Sequence, residues 1–170
     1  MSSVQDSPST VARRPVGLGF VASPPHATSA LGPRLGMLPS SLGFVAMLTA
    51  YRPTGGTARS DDLARLLENR PYGDSMSLTR LVDADEVFGF EWRNAFWIPM
   101  FQFDLRDLSV KPGPRKVLAE LAGVLDGWAL ASWFAEPNTW LAGARPVDKV
   151  DADLPAVLDA ARTDRFIAAG

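Results

Sequence analysis

Two prolines, Pro137 and Pro146, fall inside the stretch WFAEPNTWLAGARPVDKV at Trp133–Val150 and dictate its local structure. A proline lacks a backbone N–H and its ring clashes with the carbonyl four residues back, so a helix reaching Ala135 cannot pass Pro137. Glu136, just before it, is pushed toward an extended conformation. The spacing predicts a short helical turn over Asn138–Ala142, with Asn138 as N-cap and Gly143 as the stop. Pro146 suits the first turn of another short helix reaching Val150. Asp153 then caps a last helix from Leu154 to about Thr163, with Leu154, Val157, Leu158 and Ala161 turned inward. Upstream, Leu118, Leu121, Leu125, Trp128 and Ser132 form one stripe, which predicts a continuous helix from Arg115 to about Ala135. No group in the proline-bounded stretch suits catalysis, so its use must lie in shape and contact.

The rest of the chain divides by composition. Residues 1–40 are rich in Ser, Pro and Gly and read as a flexible basic arm. Residues 41–110 read as a small module. Ser60 is a candidate N-cap, with Asp61 and Asp62 in the first turn and Leu63, Leu66 and Leu67 on one face. Pro71-Tyr72-Gly73-Asp74 is a turn signal, and a second short helix is expected over Ser75–Asp83. Val87, Phe88, Phe90 and Trp92, then Phe96, Trp97 and Ile98, with Arg93-Asn94 between them, predict a β-hairpin. Two helices and a wing outline a degenerate helix-turn-helix. Pro112-Gly113-Pro114 marks a boundary, after which residues 111–170 form an α-helical domain. The expected fold is mainly α with one β-hairpin.

Of the 170 residues, 46% are hydrophobic, enough for a real core. The absence of cysteine excludes a disulfide framework and thiolate zinc sites. Arg13-Arg14 is followed by no continuous apolar stretch, and Ser40–Tyr51 is too short to span a bilayer, so a soluble, cytoplasmic protein is expected. His26 is the chain's one histidine, so no Ser–His or Cys–His nucleophile system can be assembled on the folded part. Asp61-Asp62, Asp83-Asp85-Glu86 and Asp151-Asp153 fall at helix ends and turns, where they read as caps and solvated surface. Gly55-Gly56 lacks the Gly-Lys-Ser/Thr of a phosphate loop. Neither an enzyme, nor a metal site, nor a cofactor is expected. DNA binding would draw on Arg59, Arg65, Arg70 and Arg80, yet residues 56–110 hold no lysine and more acids than arginines, which opposes phosphate contact.

From about Lys116 to Gly170 the chain resembles the C-terminal toxin-binding domain of the Xre/MbcA/ParS antitoxin family. The elements that carry the likeness are Trp133, Pro137-Asn138, Leu141, Gly143, Arg145-Pro146-Val147-Asp148, Val157-Leu158 and the tail Arg165–Gly170. Ile98-Pro99-Met100-Phe101-Gln102-Phe103 is also similar to an aromatic strand that precedes this domain in some relatives. The resemblance implies a non-catalytic antitoxin that binds a RES-domain, NAD-consuming toxin and covers its active site. The implied contact residues are Pro137, Asn138, Trp140, Leu141, Arg145, Pro146, Asp148, Arg165, Phe166 and Ile167. In this picture Trp140 and Leu141 are a rigid apolar anchor and Arg145 a directional donor. Relatives assemble through their modules, which implies a homodimer. The acidic, shortened N-terminal module departs from the family's DNA-binding domain. The alternative is a transcriptional regulator that uses that module on an operator.

Overall fold

The computed structural model describes residues 40–69 and 77–170; the arm up to Pro39, His26, Arg70, and the turn and helix start expected over Pro71–Met76 lie outside them. The fold is mainly α, with seven α-helices among the described residues and a small three-stranded antiparallel sheet.

Helix α1, Ser41–Tyr51, starts at Ser40, whose Oγ accepts a hydrogen bond from Gly43 N at 3.0 Å. Strand β1 (Thr57–Arg59) leads straight into α2 (Ser60–Glu68), so Ser60 is the first helical residue rather than the cap. Leu63 and Leu67 of α2 are buried as expected, but Leu66 faces solvent. Helix α3 spans Leu78–Asp83.

The expected hairpin forms from β2 (Phe90–Trp92) and β3 (Ala95–Pro99), with Trp92 opposite Ala95. Arg93 and Asn94 both adopt positive φ, 45° and 59°, which gives the two-residue turn whose twist suits paired strands. The sheet has a third strand that the sequence pattern hides, because β1 is three residues long and pairs with the far side of β3 in the order β1-β3-β2. The segment Met100–Gln102 is a 3-10 turn, not a continuing strand. It turns because Gln102 is drawn into the core: its Oε1 accepts from Phe88 N at 2.8 Å, and its Nε2 donates to the carbonyls of Phe88 and Pro99 at 2.9 and 3.0 Å. A buried amide needs that full set of partners.

The single long helix expected over Arg115–Ala135 is two. Helix α4 runs over Pro112–Leu121, with its prolines in the first turn, and α5 over Gly127–Ala135. Between them Ala122 is extended and Gly123 sits at φ +87°, a region that glycine enters at little cost. The break lets α4 pack along the last helix while α5 packs on α1, β2 and α6. Helix α6 (Pro146–Lys149) follows the turn, and α7 runs over Leu154–Ala169 from an N-cap at Asp153. The presumed tail Arg165–Gly170 is therefore mostly the end of α7.

The cores do not follow the division expected at residue 110. The larger one joins Met47, Tyr51, Phe88, Phe90 and Phe101 to Val117, Leu121, Phe134, Val150 and Val157. Aromatic rings carry this junction: Phe88 stacks on Phe134 with centroids 5.4 Å apart, and the Phe101 ring lies 4.9 Å from the same Phe134 ring. The smaller core gathers Leu63, Leu67, Leu78, Leu81, Val87, Ile98, Met100 and Phe103 under the sheet. The segments before and after residue 110 thus share one core, and each would expose large apolar faces without the other.

Candidate functional site

Pro137 ends α5 as expected: Glu136 is extended, and a 3-10 turn over Thr139–Leu141 follows. Asn138 caps that turn, its Oδ1 accepting from Trp140 N at 2.8 Å. Ala142 and Gly143, at φ 53° and 80°, reverse the chain, and Asn138 N donates back to Ala144 O at 3.0 Å. The loop is closed on itself by its own backbone hydrogen bonds.

What holds the loop to the protein is Asp164, which the sequence reading placed in no site. Its carboxylate lies on α7, only 7% exposed. Oδ2 accepts from Trp133 Nε1 at 2.7 Å and from Asn138 Nδ2 at 2.8 Å, and Oδ1 accepts from Trp140 Nε1 at 2.9 Å. Three N–H donors around one carboxylate are the kind of charge-assisted set that a buried anion requires. Trp133 is buried in the core, as expected, whereas Trp140 is 55% exposed. The Trp140 indole is thus anchored by its edge while much of its body faces solvent.

The remaining contact candidates separate into two groups. Arg145 is already occupied: its Nε and Nη2 bond the Asp148 carboxylate at 2.6 and 3.0 Å, and its Nη1 reaches Ala50 O of α1 at 3.2 Å. It works as an internal clamp between the turn and α1, so the free directional donor expected there does not exist. Pro146 is buried, and Leu141 packs against the larger core. Arg165 pairs with Glu120 at 2.7 Å, beside Arg162 on the same carboxylate. Pro137 is exposed, Phe166 is 80% exposed, and Ile167 is 49% exposed one helical turn beyond Asp164. The structure therefore leaves Pro137, Trp140, Phe166 and Ile167 as the outward apolar members.

Of the arginines proposed for nucleic acid, Arg59 precedes α2 and lines a groove at the hairpin with Trp92 and Arg93. Arg65 is exposed and paired with Asp62 at 3.5 Å, and Arg80 is exposed on α3. Arg93 lies over Trp92, 5.4 Å from the ring centroid, and donates to Ser41 Oγ at 3.2 Å. Among the described residues no group of three or more His, Asp or Glu side chains converges as a metal set, and no helix is long and apolar enough to cross a membrane.

The fold and this surface define a mainly α protein that presents a carboxylate-anchored tryptophan. Comparison with protein-family models, characterised proteins and solved structures finds no match to the chain.

Proposed function

We propose that the chain acts by binding a partner protein through the Trp140 surface, as an antitoxin that neutralises a RES-domain, NAD-consuming toxin by covering its active site. The observation that carries the reading is the Trp140 indole, held at 2.9 Å by a buried carboxylate and yet 55% exposed. Interface energy concentrates in a few large, rigid side chains, with tryptophan prominent among them. A side chain ordered beforehand loses little entropy on binding, and Asp164 and Asn138 supply that order here. Ile167, one helical turn beyond Asp164, adds a half-exposed apolar side chain on the adjoining face of α7, and Phe166 is exposed on the same helix. Pro137 stiffens its near edge. The likeness of Trp133–Asp148 to the antitoxin family's toxin-binding domain supplies the choice of partner.

Co-expression with a RES-domain toxin tests the proposal. The full chain should restore growth and co-purify with the toxin, and Trp140→Ala together with Phe166→Ala should abolish both while the circular dichroism stays that of the parent. Retention of rescue by that double variant would overturn the assigned surface, and failure of the parent chain to bind would overturn the partner.

A further inference from the structure

The three-stranded sheet has two edges, and the fold treats them differently. Helix α5 packs on β2 at one side. The other edge is β1, where one bond fixes the parity of the ladder: Met100 N donates to Gly56 O at 2.9 Å. In an antiparallel pair the bonded positions alternate, so Ala58 faces β3 while Thr57 and Arg59 turn backbone groups outward. The outward groups are the N–H and C=O of Thr57 and the N–H of Arg59, and no described residue pairs with them. Along this edge lies a groove between α1 and β1, lined by Val45, Leu48, Arg52, Thr57 and Trp97. Among the described residues no acid lines it. Arg59, two positions after Thr57 and on the same face of β1, continues it. Most described arginines are engaged by a carboxylate, but Arg52 and Arg59, both exposed, have none among the described residues.

We infer that this groove receives an extended, acidic segment of a partner protein, which adds to the sheet as a further strand beside β1. An open strand edge binds through main-chain hydrogen bonds, and pockets for alternate side chains supply the selectivity. Here Thr57 and Arg59 offer N–H groups and a carbonyl, Val45, Leu48 and Trp97 offer an apolar wall, and the two guanidiniums offer carboxylate partners. Strand side chains alternate, so a segment with an acid, an aliphatic residue and an acid at every second position turns all three toward α1. A nucleic acid would satisfy the arginines, but it has no alternating N–H and C=O to meet the edge. A second copy of the chain is disfavoured too, since pairing β1 with its duplicate would gather Arg52 and Arg59 of both copies. No residue of the Trp140 surface takes part.

An NMR titration of the isotope-labelled full chain with the acetylated, amidated peptide Glu-Thr-Val-Thr-Glu tests this. The Thr57 and Arg59 amide signals should shift to saturation, and Arg52→Glu with Arg59→Glu should raise the dissociation constant at least about tenfold. Both positions are exposed, and an unchanged amide spectrum away from the groove will confirm that the variant folds. A fully N-methylated form of the peptide keeps its charges and side chains but cannot donate main-chain hydrogen bonds, and it should not bind. Absence of shifts at Thr57 and Arg59 with about 1 mM peptide would overturn the inference. So would an N-methylated peptide that binds as well as its parent, or a thymidine oligonucleotide that shifts the same amides more strongly than the peptide does.

Discussion

The Asp164 carboxylate accepts the Trp133 indole N–H at 2.7 Å across 31 residues of sequence, tying the end of α5 to α7 inside the protein. The same carboxylate holds Asn138 and Trp140, so core, turn and exposed surface share one buried anion. Asp164→Ala would strand the Trp133 and Asn138 donors in a water-poor site, where each lost bond to a charged acceptor costs about 1.5–3 kcal/mol. Urea unfolding should show a loss of about 3 kcal/mol or more, with the midpoint falling at constant slope.

Two tryptophans test how much an indole N–H contributes. Trp133 donates to Asp164, whereas Trp97 Nε1 is buried with no acceptor among the described residues. Trp133→Phe should therefore cost about 1–3 kcal/mol beyond the loss of ring contacts. Trp97→Phe removes an unpaired donor and should cost only the lost ring contacts. Equal losses in the two unfolding curves would contradict this accounting.

Tyr51 gives the protein a limit on the alkaline side. Its hydroxyl donates to Ala131 O at 2.7 Å, and burial pushes the phenol well above its ordinary value of 10.0. The unfolded chain releases this proton near pH 10 while the folded chain retains it, so the native state is favoured below that pH. The advantage shrinks as pH rises above it. Tyrosinate absorbance should show that one of the two tyrosines ionises only with unfolding. Tyr51→Phe should flatten the pH dependence above pH 10 and cost about 1 kcal/mol at neutral pH.

Gly89 is held by proximity rather than by a special backbone angle. A Cβ there would meet the Phe96 ring at 2.6 Å and Trp97 O at 2.7 Å. The backbone oxygen cannot yield as a flexible side chain would. Gly89→Ala should destabilise by about 2–3 kcal/mol, whereas Gly123→Ala, at φ +87° in open space, should cost only the backbone strain of about 1 kcal/mol. Thermal melts of the two variants should rank in that order.

The parts that were legible in the sequence are those fixed by covalent or near-neighbour chemistry. Pro137 stopped α5 and Asn138 capped the next turn, because a missing N–H and a short side-chain acceptor act within a few residues. The hairpin was legible because aromatic strand formers flank Arg93-Asn94, and Asn tolerates the left-handed region. The break of the expected long helix was missed because its stripe runs unbroken from Leu118 to Trp128. Only the competing faces of α7 on one side and α1, β2 and α6 on the other decide that two short helices bury more than one long helix.

The site itself followed the same divide. Sequence alone determined that a rigid, tryptophan-bearing turn would stand between Trp133 and Val150. The tertiary structure decided which of its side chains face outward. An aspartate inside a helix looks like any solvated acid until folding surrounds it with three indole and amide donors. An arginine in a turn looks free until the carbonyl of Ala50 and the carboxylate of Asp148 occupy it. Turn geometry is set by bonds along the chain. Burial and pairing are set by which distant segments meet, and that depends on the whole core at once.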